Sequence, residues 1–241
     1  MASKQFVVIG LGNTGYFLAR HLTALGHDVM VVDPSPEKIQ DISNQVAQAV
    51  VADGTRKKQL QSLPLSKVDS VICCIGEDLQ ASLLTVLNLK ELGVKHIIAK
   101  SSSPAHTIIL EKLGVADIFH PERDMAISLA ERLNRPNMLD YLPFMEGFSI
   151  VEIACPEAFL GKTLKDLSLT HKYGIQVIAI RDPQEPTPKI GNLADIVLQE
   201  DDVLFLIGPN EAVDKFYEDP KNMAEFEAWH AAYLAEKEAA S

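Results

Sequence analysis

Gln5-Phe6-Val7-Val8-Ile9-Gly10-Leu11-Gly12-Asn13-Thr14-Gly15, near the start of the chain, decides the fold. A strand-sized apolar run enters a G-x-G-x-x-G, and apolar residues at helical spacing follow from Thr14 to Leu25. Strand, glycine turn and helix in that order give the motif its meaning. Gly10 permits the tight turn, Gly12 lets backbone approach a pyrophosphate, and Gly15 lets the helix pack on the strand. Asn13 and Thr14 open a helix whose first N–H groups are donors to an anion. Asp33 ends the next apolar run, 18 residues beyond Gly15. A carboxylate there accepts hydrogen bonds from a ribose diol and repels a 2′-phosphate, so the expected ligand is an adenine nucleotide, with NADP disfavoured.

The same alternation continues outward. Strands are expected at Phe6 to Ile9, Asp28 to Val32, Ala49 to Val51, Ser70 to Ile75, His96 to Ala99 and Asp117 to Phe119, with helices between them and a last one at Glu122 to Asn134. Successive β-α units with right-handed crossovers predict an α/β fold, a Rossmann-like doubly wound parallel sheet over residues 1–134, with ligands outside the carboxyl ends of its strands. The composition changes at Arg135-Pro136-Asn137. Residues 135–147 read as a proline-broken connector whose Leu139, Tyr141, Leu142, Phe144 and Met145 are expected to bury against a second subunit. Strands at Phe148 to Ala154, Ile175 to Arg181, Asp195 to Leu198 and Val203 to Ile207 predict a smaller α+β domain over 148–218. Residues 219–241 read as an extension with a helix from Lys221 to Lys237.

Composition narrows the function. Of 241 residues, 22 are Lys or Arg and 33 Asp or Glu, a net charge of −11. Such a chain lacks the basic surface that gathers nucleic-acid phosphates or anionic headgroups. Its apolar runs are far shorter than the roughly 20 residues that cross a bilayer, and no targeting segment is evident. Three cysteines cannot make a disulfide framework and suit a reducing compartment, so a cytoplasmic location is expected.

Two further strand ends open on the same crevice: Asp53-Gly54-Thr55, near the expected adenine, and Ile75-Gly76, near the phosphates. Turn chemistry with Thr55 capping a helix accounts for the first as well. No catalytic set accompanies the loop. H-E-x-x-H, G-x-S-x-G and the G-x-x-x-x-G-K-[ST] loop are missing, the histidines are scattered, and Tyr217-x-x-x-Lys221 is interrupted by Pro220. Nucleotide sensing is therefore favoured over turnover, with an NAD-dependent oxidoreductase as the alternative.

Together with the glycine loop and Asp33, the turn Ile75-Gly76-Glu77-Asp78-Leu79-Gln80-Ala81-Ser82 and the segment His120-Pro121-Glu122-Arg123-Asp124-Met125 resemble the RCK regulatory subunits of bacterial potassium uptake systems, the Ktr and Trk type, most closely the KtrA-like members with their TrkA-N and TrkA-C domains. The resemblance implies a regulatory subunit, not an enzyme. It implies dimers assembling into an octameric ring, docked from the cytoplasm on a membrane-embedded potassium-translocating subunit of the KtrB or TrkH kind; the same module also serves other cation channels and antiporters. By this similarity Gly10, Gly12, Asn13, Thr14, Gly15 and Asp33 bind the nucleotide, and Asp53, Gly54 and Thr55 lie near its adenosine part. Ile75, Gly76 and Lys100 line its phosphates, and Glu122 helps hold a divalent cation, Mg or Ca. A solvated strand-end lysine and a helix N-terminal carboxylate are the plainer readings of Lys100 and Glu122. Where KtrA-like proteins commonly carry an arginine in the loop, this chain has Asn13, which cannot neutralise a γ-phosphate. ATP, ADP, AMP and NAD or NADH all stay open as ligands. The small domain resembles a module that in some members binds cyclic di-AMP.

Overall fold

The computed structural model describes residues 3–115, 117–135, 137–182, 185 and 187–222. The chain divides into two compact units, Met1–Arg123 and Asp124–Ser241.

The first unit alternates strands β1 (Gln5–Ile9), β2 (Asp28–Asp33), β3 (Gln48–Val51), β4 (Ser70–Cys73), β5 (Ile97–Lys100) and β6 (Asp117–Phe119) with helices. The helices are α1 (Asn13–Ala24), α2 (Pro36–Ile42), α3 (Lys57–Gln61), α4 (Leu79–Glu91) and α5 (Pro104–Lys112), and α6 (Pro121–Asn134) follows β6. The strands pair in the order β3-β2-β1-β4-β5-β6, parallel throughout. A sheet covered on both faces has strands that are apolar on both, and β1 and β4 show this. Val7, Ile9, Val71 and Cys73 face a core shared with Leu89 and Leu110 of α4 and α5. Val8, Ile72 and Cys74 face another with Ala19, Ile39 and Ile42 of α1 and α2. The strand order reverses between β1 and β4, the switch point that opens a crevice at the carboxyl ends.

The second unit carries β7 (Met138–Met145), β8 (Phe148–Ala154), β9 (Gln176–Arg181), β10 (Lys189–Ile190) and β11 (Val203–Pro209), with α7 (Leu164–Leu167), α8 (Leu169–Tyr173) and α9 (Asn210–Glu218). Its antiparallel sheet has the order β10-β9-β11-β8-β7. Phe159, Ile175, Leu204 and Phe216 lie in its core.

Two expectations change here, and a third falls beyond the described residues. The supposed connector is largely β7, an edge strand paired with β8, and Pro143 is tolerated because it stands beside a register shift on that edge. Leu139 is buried within the chain and Tyr141 packs on the unit's own core, whereas Leu142, Phe144 and Met145 are exposed. No strand forms at Asp195 to Leu198. Leu198 instead exchanges backbone hydrogen bonds with Gly161 and Lys162 (3.0 Å each), and a single bridge joins Thr163 to Val197. The helix expected from Lys221 to Lys237 lies, beyond Asn222, outside the described residues.

Candidate functional site

The crevice is built on β1. Gly10 has φ +96°, a conformation that costs glycine least, and its N–H donates to Val32 O at 2.8 Å, tying the turn to β2. The next N–H, of Leu11, donates to Asp33 Oδ2 at 2.7 Å, and Ser35 N–H donates to Asp33 Oδ1 at 2.9 Å. Asp33 is 5% exposed. Its first task is thus to hold the glycine loop, a role the sequence did not disclose. Each oxygen keeps a lone pair, so the capacity to accept from a ribose hydroxyl remains.

Gly12 and Gly15 differ in what surrounds them. A Cβ on Gly15 would lie 1.9 Å from Gly10 O, whereas one on Gly12 would meet nothing within 4 Å. Gly15 is therefore demanded by packing, and Gly12 by nothing among the described residues. Gly12 is also the N-cap of α1, which has no side-chain cap and no acidic residue in its first turn. Helix N–H groups at Asn13, Thr14 and Gly15 begin an end that a bound anion would satisfy.

Across the loop stand the ends of β4 and β5. A Cβ on Gly10 would come within 3.0 Å of Ile75 Cγ1, so Ile75 backs the turn. A Cβ on Gly76 would come within 2.8 Å of Lys100 Cε, so the lysine lies over Gly76. Lys100 Nζ is 3.4 Å from Thr14 Oγ1 and hydrogen-bonds Glu122 Oε1. Burial pushes the Glu122 carboxyl up, but the Lys100 hydrogen bond, a backbone hydrogen bond and the ammonium charge outweigh it and hold the group below the usual carboxylate range. Among the described residues, Lys100 is the cation hydrogen-bonded to the glycine loop.

The segment that places Glu122 is fixed by groups that sequence reasoning missed. Ser101 Oγ meets Thr107 Oγ1 at 2.9 Å, and Thr107 Oγ1 meets His120 Nε2 at 2.9 Å. The signal was the closeness of Ser101 and Thr107 to the end of β5, with His120 just past β6.

Asp53, Gly54 and Thr55 form a self-contained turn. Asp53 Oδ1 accepts from Thr55 N–H (2.9 Å) and Thr55 Oγ1 (2.7 Å), and the Thr55 hydroxyl is the main reason its carboxyl sits low, against a smaller opposing effect of burial. Thr55 does not cap α3, whose N-cap is Arg56 without a side-chain bond. A Cβ on Gly54 would lie 2.7 Å from Thr85 Oγ1, and Asn88 Nδ2 donates to Gly54 O and Thr55 O at 3.0 Å each. This turn is pinned to α4.

Burial pushes the Cys74 thiol up to about 12, with the neighbouring Cys73 adding to it, so it is no nucleophile at neutral pH. Burial likewise raises the Tyr217 phenol, opposite to the shift a catalytic base needs. Among the described residues no group of three or more His, Cys, Asp or Glu could hold a metal ion. Glu122 alone does not make a cation site within one chain.

Residues 6–121 match the TrkA-N domain and 148–220 the TrkA-C domain. The chain is 39% identical over 213 residues to Ktr system potassium uptake protein C of Bacillus subtilis (strain 168), covering 88% of this chain and 96% of the relative. It is 34% identical over 218 residues to Ktr system potassium uptake protein A of the same organism, covering 89% and 96%. The chain belongs to the Ktr family of potassium uptake proteins. These relatives are potassium uptake proteins, which sets the oxidoreductase reading aside. Among solved structures, the GsuK channel superposes with a TM-score of 0.66 at 19% identity over 98% of this chain and 45% of the channel. The GsuK channel bound to NAD gives 0.61 at 19% over 90% and 39%. The Ktr chain thus spans less than half of GsuK, and the likeness is one of fold. No helix among its described residues is long and apolar enough to cross a membrane.

Proposed function

We propose that this Ktr chain is a nucleotide-binding regulatory subunit of a potassium uptake system, acting from the cytoplasmic side on a membrane-embedded, potassium-translocating partner. The carrying observation is the uncapped N-terminus of α1, with open space at Gly12 and the Lys100 ammonium beside Thr14. A pyrophosphate there would accept the free helix N–H groups and a charge-assisted bond from lysine. Asp33 would receive the ribose, and the turn at Asp53 to Thr55 would border the adenosine. Regulation then needs nothing but different affinities of the nucleotide for two states of the subunit.

The charge at the loop orders the ligands. Asn13 offers no cation and Lys100 offers one, so ADP and NADH, each carrying a diphosphate, bind at least as tightly as ATP. The GsuK neighbour solved with NAD supports a dinucleotide in this fold. A divalent cation beside Glu122 would take its other oxygens from ligand phosphates or a second copy. Dimers and an octameric ring would form through exposed apolar faces. Calorimetry with ATP, ADP, AMP and NADH tests the reading, together with copurification of the membrane subunit. Failure of all four to bind would remove it.

A further inference from the structure

Lys100 and Glu122 are an unequal pair. The lysine side chain is 12% exposed and the glutamate 63%. Lys100 ends β5 and is confined by Gly76, where an added Cβ would stand 2.9 Å from Nζ. Its ammonium therefore has little room to move away from Thr14. Glu122 reaches the same ammonium from the solvent side. Its approach is set by the fold: Lys100 pairs with Phe119 in the β5–β6 register, Ser101 N–H donates to Phe119 O at 2.9 Å, and the Ser101–Thr107–His120 chain fixes the turn into α6. The N-terminus of α6 would stabilise a carboxylate at Glu122 wherever its side chain pointed. That it points at Lys100 is a separate fact.

We propose that Glu122 is a resident counter-ion that a nucleotide phosphate must displace from Lys100, so that the pair sets the affinity threshold of the site. The inference rests on the reading of the glycine loop as a phosphate site. A nearly buried cation needs an anion beside it, and a phosphate at the N-terminus of α1 offers a better one. The exposed carboxylate released to water loses little, so the exchange weakens binding without preventing it. Displacement also removes the side-chain contact between the first turn of α6 and β5, so phosphate arrival changes a contact of the helix on which Glu122 stands.

The test is calorimetry with ADP, ATP and NADH in EDTA, using the whole chain, Glu122→Gln, Lys100→Gln and the double variant. Glu122→Gln keeps the shape and removes the competing charge, so it should bind about three- to tenfold more tightly than the unaltered chain. In the Lys100→Gln background the same change should have no effect, which separates competition for this lysine from a general loss of negative charge. Unchanged or weaker binding by Glu122→Gln, or equal tightening in both backgrounds, would overturn the proposal. If the unaltered chain binds and only the glutamine variant behaves otherwise than expected, the nucleotide reading stands alone. If none of the four proteins binds any of the three nucleotides, that reading fails and takes this one with it.

Discussion

Gly12 and Gly15 share a motif, and their surroundings assign them different work. On Gly15 a methyl group would collide with the backbone oxygen of Gly10, which cannot rotate aside. On Gly12 it would enter open space, at φ −70°, which any residue adopts. Gly15→Ala should therefore lower stability by about 1–3 kcal/mol, as overpacking does. Gly12→Ala should leave the thermal midpoint nearly unchanged and weaken nucleotide binding by about tenfold or more, because the methyl occupies the approach of the pyrophosphate. Thermal unfolding and calorimetry on the two variants check the contrast; equal loss of stability in both would refute the division of roles. The loop was legible because glycine spacing records backbone needs directly. The double tie of Asp33 to Leu11 and Ser35 was not, since it depends on where two N–H groups meet after folding. Nor does any local pattern announce that Lys100 and Glu122, 22 residues apart, share a hydrogen bond.

Elements were legible where an apolar period had one reading. The six parallel strands could be read because burial on both faces leaves short, continuous apolar runs such as Val29 to Val32. Residues 135–147 read as a connector because Pro136 and Pro143 break the apolar pattern, although an edge strand such as Met138–Met145 tolerates a proline beside a register shift. Two buried polar residues on helices of the first unit do work that the period does not show. Asn88 of α4 donates to both carbonyls of the turn after β3, so Asn88→Leu should cost about 1–3 kcal/mol, the penalty for stranding buried acceptors. Urea unfolding should show a lower midpoint with an unchanged slope. His106 of α5 is fully buried, and burial, with the charge of His120 adding to it, holds its imidazole below the ordinary 6.5. The unfolded chain then takes up a proton that the folded chain refuses. Stability should be level above about pH 6.5 and fall as the pH drops below it. Thermal midpoints between pH 8 and pH 5.5 should show this fall, and it should be shallower in His106→Gln. An equal slope in both proteins would place the effect elsewhere.

At the scale of the whole molecule, charge and apolar surface act against each other. The chain carries −11, and every added copy brings as much again, so copies repel unless apolar burial outweighs the repulsion. The described surface offers such a face on the first unit: Leu79, Leu84 and Leu87 of α4 and Ile109 of α5 are each 38–41% exposed, and with Leu83 and Leu113 they line one apolar hollow. Because these side chains already touch solvent in the single chain, Leu87→Glu should change stability by no more than about 0.5 kcal/mol. In an assembly the same carboxylate would be buried against apolar neighbours, and a charge buried without a partner costs far more than that. Light scattering should therefore find the unaltered chain in a multi-subunit particle and Leu87→Glu in a smaller one, at closely similar thermal midpoints. Salt should act in the other direction on the unaltered chain. At 0.1 M the screening length is about 10 Å, so raising the ionic strength weakens repulsion between acidic copies while leaving apolar burial intact, and the particle should resist dilution better. A single-chain mass for the unaltered protein at every salt concentration would mean that this face covers something other than a second copy.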